Sequence, residues 1–290
     1  MDISCILAAL LFFVGNLLRL IYLGNEFNRG FNWYKYTQLE PESIQSEWDF
    51  RISNKPHLMA AGFINSTAWF IFCFPLLQLV YVLNQQRGPG TSRSVWLHVG
   101  IVVLVLGGCF TEWIANFMYF GSILACELMV GEFNLTNWID ANEDDSIGLR
   151  SLEVAYFALR GMKFWVDAFE WIALFFIMVF VNMAVNRYRS IDPVSFGALW
   201  NVLGLFIGFV AMLDFITEVL RTTNFRLFSQ IAFCYSTTNR LILLPAWLIV
   251  LGLRLPNALA KLEKKDSAVQ AEGIFLPTIA TIQEQDPAEL

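Results

Sequence analysis

The chain has only two histidines, His57 and His98, in 290 residues. That is too few for the clustered imidazoles of a membrane di-iron enzyme, and it argues against a His-based zinc centre. Charge is scarce too, at 15% of residues, with a net value of −6. A chain so poor in Lys and Arg has no surface for neutralising phosphates, which excludes nucleic acid as a partner. The five cysteines (Cys5, Cys73, Cys109, Cys126 and Cys234) all lie in or beside apolar segments. An odd count with no pairs in polar loops gives no disulfide framework. Phosphate-binding, zinc-protease and serine-nucleophile signatures are missing as well, so no cofactor is expected and no enzyme class is named. The last apolar segment has no lysine, which removes a retinal Schiff base.

What is abundant is apolar surface. Hydrophobic residues make up 57% of the chain, with 27 Phe and 10 Trp; ordinary soluble domains are about 45–50% apolar and about 25% charged. A bilayer-spanning helix needs about 20 apolar residues. Six segments qualify, at roughly 3–24, 58–84, 95–124, 162–187, 195–220 and 227–253. The fold class expected is therefore all-α: a polytopic integral membrane protein, a bundle of about six transmembrane helices over 1–255. Its long loops are 25–57 and 131–149, and 256–290 reads as a polar, disordered tail.

An even number of spans places both termini on one side. The side holding 85–94, 188–194 and the tail carries Arg87, Arg93, Arg187, Arg189, Arg254, Lys261, Lys264 and Lys265. By the positive-inside bias that side is cytoplasmic. The organelle stays open between plasma membrane and endomembrane. Asn134-Leu135-Thr136 is a glycosylation sequon on the opposite side, which makes Asn134 a glycosylation candidate. A second sequon, Asn65-Ser66-Thr67, lies inside a span and is expected to be silent. A cleaved leader over the first segment is the rival reading. It lacks a positive n-region, carries Arg19 and offers no small-residue cleavage site beyond Leu23-Gly24.

Carboxylates inside these spans are the informative feature. Glu112, Asp167, Glu170, Asp214 and Glu218 sit in or at the edge of apolar helices, where a charge costs roughly 2.5–3.5 kcal/mol on insertion scales. Positions three, four and seven apart share a helix face. On that rule His98, Gly108, Glu112, Asn116 and Tyr119 form one stripe, and Lys163, Asp167 and Glu170 a second. Asp214, Glu218 and Arg221 form a third, and Ser229, Ser236 and Arg240 a fourth. Lipid cannot satisfy such stripes, so they point inward. Alternating span direction puts all five acids in the outer half of the membrane. Glu112, Asn116, Asp167, Glu170, Asp214, Glu218 and Arg240 are thus expected to line a polar cavity open to the outer side. Glu112 and Asp214 are its central groups, Arg240 is the counter-charge, and Arg19 joins from the first span. Whether a metal binds there is left open. Glu112-Trp-Ile-Ala-Asn-Phe echoes Glu170-Trp-Ile-Ala-Leu-Phe, hinting that the two glutamates occupy related environments.

Three functions fit. The first is a transporter or channel-like protein for a small cation or a proton. The second is a non-catalytic scaffold that binds a protein partner through its outer loops, with structural ion pairs. The third is a lipid-modifying enzyme. Pro75 and Pro245 are expected to kink their spans, and Gly204-x-x-x-Gly208 to let two helices approach closely.

Overall fold

In the computed structural model, residues 2–23, 48–85, 95–133, 143–188, 196–221 and 225–274 are described, and among them there is no strand. The helices are α1 (Ile3–Leu23), α2 (Lys55–Gln85), α3 (Val95–Phe133), α4 (Glu143–Tyr188), α5 (Ala198–Leu220), α6 (Phe225–Thr238) and α7 (Leu244–Ile274). A π-helical turn, Asn239–Leu243, joins α6 to α7, so these two form one crossing. Six helical stretches are long and apolar enough to cross a membrane. The chain is an all-α, multi-pass integral membrane protein. In hydrocarbon each backbone N–H and C=O needs an internal partner, and a helix supplies one within its own segment.

Successive helices pack side by side, and α7 returns against α1, so the bundle closes in chain order. Its outer surface is apolar: Val103, Phe110, Leu199, Val202 and Phe209 are all exposed. An apolar girdle this extensive is what a lipid-facing surface requires. The interior is packed by Phe12, Trp69, Phe72 and Trp247, whose rings meet edge to face.

Between helices in lipid, van der Waals fit replaces the hydrophobic effect, so small residues mark the close crossings. At Gly208 a Cβ would sit 3.2 Å from the Cβ of Met178, so the small-residue motif serves the α4–α5 contact as expected. At Gly252 a Cβ would sit 2.8 Å from the Cβ of Cys5. Gly252→Val is therefore expected to push α1 off α7, at about 1–3 kcal/mol. Thermal melting in detergent should register the loss, and an unchanged midpoint would refute this tight crossing.

Three features differ from the sequence reading. The last helix runs through Pro256 to Ile274, where the sequence ends the span near 253 and begins a disordered tail. Residues 257–265 are Asn-Ala-Leu-Ala-Lys-Leu-Glu-Lys-Lys, rich in strong helix formers, so the helix outlasts its apolar stretch. The 131–149 loop is helical up to Phe133 and again from Glu143; Asn134, the glycosylation candidate, lies outside the described residues, as do 24–47 of the first long loop. The rest of that loop is helical at 48–53, where Trp48, Phe50 and Arg51 are buried.

The prolines act differently from each other. Helix α2 continues through Pro75. Pro245 follows the π-turn, and there the Leu244 N–H bonds the Asn239 carbonyl five residues back. A proline ring crowds the carbonyl four residues before it. The widened turn makes room for this, and it also aims Asn239 and Arg240 into the bundle, where both are buried.

Candidate functional site

Arg240 is the hub. The π-turn carries it to the centre of the bundle, where its guanidinium is buried. Its Nη2 lies 3.4 Å from Glu112 Oε2 of α3, and it bonds Glu170 Oε1 of α4. The same guanidinium stacks over the Trp171 ring, 4.7 Å from its centroid. A planar cation with five donors suits this double role, since it can serve two carboxylates and an aromatic face together. The echoed segments of α3 and α4 thus place Glu112 and Glu170 against one arginine, which is the relation their sequence suggests.

Glu112 is further held by Asn116, whose Nδ2 donates to its Oε1 at 2.8 Å and to Ser66 Oγ of α2 at 2.7 Å. Asp167 pairs with Lys163 one turn earlier on α4, at 2.5 Å. One oxygen each of Glu112, Asp167 and Glu170 falls within 4.8 Å of the others. Three carboxylates at that spacing can share a cation, and Arg240 and Lys163 supply positive charge there.

These groups border a small cavity of about 50 Å³, lined among others by Arg19, Asn65, Glu112, Asn116, Lys163 and Asp167. At about 10–15 Å³ per water centre this holds a few water molecules. The lining comes from the last turns of α1, the first turns of α2, the second half of α3 and the start of the crossing in α4. All of these lie at one end of the bundle.

Glu218 and Asp214 take separate positions. Glu218 pairs with Arg221 at 2.7 Å, near the C-terminus of α5. Asp214 is fully buried, and its Oδ2 has no hydrogen-bond partner among the described residues. Only the Thr217 hydroxyl approaches its other oxygen, at 3.5 Å. The expected site residues therefore divide into three groups. Glu112, Asn116, Asp167, Glu170 and Arg240 form one connected cluster, Glu218 belongs to a peripheral pair, and Asp214 has no ion pair among the described residues; Glu170, Asp214 and Glu218 do not line the cavity, where the sequence reading expects all seven.

Several participants are neutral, and a search for charge misses them. Asn16 of α1 donates to Asn65 Oδ1 at 2.9 Å, so this sequon asparagine is a buried interhelical contact, as its position in a span suggests. Asn239, beside Arg240, donates to the Ile207 carbonyl of α5 at 3.3 Å. His98 shares the α3 stripe with Glu112 but lies 14 residues earlier, about 21 Å along the helix axis, and does not line the cavity. Comparison with known protein families, with curated proteins and with solved structures finds no match for this chain.

Proposed function

We propose that this protein moves a small cation or a proton across its membrane, through the acidic cavity and Asp214. The observation that carries this reading is the charge balance at depth. Of five buried or half-buried carboxylates, Glu112, Asp167, Glu170 and Glu218 are ion-paired with three cations, Arg240, Lys163 and Arg221, and Arg19 lies in the cavity wall. One acid, Asp214, has no cation bonded to it among the described residues. An unpaired charge in hydrocarbon is expensive enough that such groups mark ion and proton pathways by default. Asp214 has to be neutralised by something that comes and goes, whereas Glu112 and Glu170 are neutralised by Arg240 permanently.

The positive-inside bias supports an orientation in which the cavity opens to the non-cytoplasmic side and both termini are cytoplasmic. The cavity's size weighs against lipid chemistry, since ligand pockets are typically about 300–1,000 Å³.

A second reading rests on the Arg240 cluster. A triad in which each charge finds a partner also locks three helices together, as a scaffold would need. The two readings separate in proteoliposomes loaded with ion-sensitive dyes and tested with Na⁺, K⁺, Ca²⁺ and proton gradients. Transport is expected for the wild type and lost to the level of empty vesicles in Asp214→Asn, with the variant still monodisperse. Wild-type vesicles as tight as empty ones for every ion would leave the scaffold reading.

A further inference from the structure

From Asp214 inward, the bundle contains buried polar atoms that no ion pair explains. Helix α5 orders them. Asp214 is the first. Seven residues back along α5, about 10.5 Å by helix rise, the Ile207 carbonyl receives the Asn239 amide, and Asn239 Oδ1 itself has no hydrogen-bond partner. Three residues further back, about 4.5 Å, is Gly204. A Cβ there would sit 3.0 Å from Asn182 Nδ2 of α4 and 3.1 Å from Trp247 Nε1 of α7. Asn182 Oδ1 and Trp247 Nε1 both lack a partner as well. Asp214, Asn239 and Trp247 are fully buried, and Asn182 is 3% exposed.

Buried polar atoms without partners are uncommon, and each one calls for an explanation. Here four lie in order along one helix, over about 15 Å, which is half of a bilayer's hydrocarbon core. The absence of a Cβ at Gly204 leaves the last pair facing each other.

We infer that the transported ion is a proton, and that it crosses the inner half of the bundle from Asp214 along water molecules held by Asn239, Asn182 and Trp247. This rests on the transport reading above. The choice of a proton follows from ligand number. A calcium-like cation stripped of water needs about six to eight oxygens, whereas Asn239 and Asn182 offer one unpartnered oxygen each and Trp247 offers only an N–H. One acceptor or donor per step is what a single file of water requires.

The transfer makes and breaks only O–H bonds. Asp214 receives a proton from the cavity side on Oδ2 and gives it to the first water beyond. Each water passes one on, and the emptied carboxylate is refilled from the cavity. Asn182, Asn239 and Trp247 do not ionise; they are positioning residues that fix the waters. Beyond them Trp200 stacks on Trp247, with ring centroids 4.7 Å apart and planes 19° apart, and donates from its Nε1 to the Trp247 carbonyl at 3.3 Å. This stack closes the inner end, so a shift of the ring pair would open it.

The test is proton flux in proteoliposomes, run beside Na⁺ and K⁺ flux. Trp247→Phe keeps a stacking ring but removes the N–H together with part of the buried indole, so each variant is compared only as a monodisperse preparation. Asn182→Leu deletes the amide, while Asn182→Asp restores an oxygen. Wild type is expected to pass protons and not Na⁺ or K⁺. Trp247→Phe and Asn182→Leu are expected to pass them at least tenfold more slowly, and Asn182→Asp to recover most of the rate. Should Asn182→Leu fail to fold, Trp247→Phe decides. Proton flux unaltered in both variants, in a protein that still needs Asp214, would overturn the inner line and leave the transport reading standing. Flux of Na⁺ or K⁺ in place of protons would overturn the choice of ion alone. No wild-type flux at all would overturn both.

Discussion

Arg240→Gln is expected to be the most damaging single substitution in the chain. It leaves Glu112 and Glu170 facing each other in the bundle, both buried and with their shared cation gone. Removing one partner of a buried ion pair costs about 3–5 kcal/mol, because the surviving charge is neither hydrated nor matched. Here two charges survive, so the cost lies at the upper end of that range. Total stability for a domain is typically only about 5–15 kcal/mol. Most of the protein should therefore be lost as aggregate in size-exclusion chromatography of detergent extracts. The damage is electrostatic and should be reversible. Adding Glu112→Gln and Glu170→Gln to Arg240→Gln removes all three charges together and is expected to return a monodisperse peak. If the triple variant is as unstable as the single one, the role of Arg240 is shape and not charge.

Asp214→Asn is expected to behave in the opposite way. Among the described residues the aspartate has no cation bonded to it, and its Oδ2 has no hydrogen-bond partner. The neighbouring Thr217 hydroxyl keeps its main bond, 2.8 Å to the Asp214 backbone carbonyl, whatever side chain follows. Asparagine has nearly the same shape and no charge to bury. The thermal midpoint should stay level or rise, since replacing a buried unpaired charge by a neutral group removes a desolvation cost. Transport, in contrast, should fall to background, because an amide cannot take up and release a proton. This separation of stability from activity is uncommon for a fully buried residue, since most core substitutions destabilise. A large drop in the midpoint would mean that Asp214 is bonded in a way the charge count does not include.

The two substitutions divide the acidic cluster by what neutralises each member. Glu112 and Glu170 are matched by a fixed arginine and behave as structure. Asp167 and Glu218 are matched by neighbours one turn away on their own helices, Lys163 and Arg221. Asp214 has no such fixed partner among the described residues. A transport pathway needs both kinds of group, one to hold helices in register around polar contents and one to exchange.

Much of this was legible in the sequence because hydrocarbon imposes strict rules. Long apolar runs marked the six crossings, and helical spacing put Glu112 and Asn116 on one face and Lys163, Asp167 and Glu170 on another. Arg240 was recognisable as a counter-charge since no other cation lies deep in the last span. The pairing was less legible. Both Glu112 and Asp214 read as central, but the partners that distinguish them come from other helices, and the π-turn after α6 delivers Arg240 to α3 and α4. The π-turn that aims it arises where Pro245 crowds the preceding carbonyls, and sequence gave only a kink. Asn65 stands out in the sequence only as a silent sequon, and Asn182 and Asn239 not at all, because a neutral polar residue in a span carries no charge to flag it. The end of the last helix was missed since helix propensity, not hydropathy, decides how far it runs beyond the lipid.

The central claim is that Asp214 exchanges a charge with the two sides of the membrane. Its most direct test is the charge displacement recorded on a solid-supported membrane when the solution pH or cation content is stepped, comparing wild type with Asp214→Asn in matched, monodisperse preparations. A transient current in the wild type that is absent from Asp214→Asn is the expected result. Equal currents in the two proteins, or none in either, would contradict it.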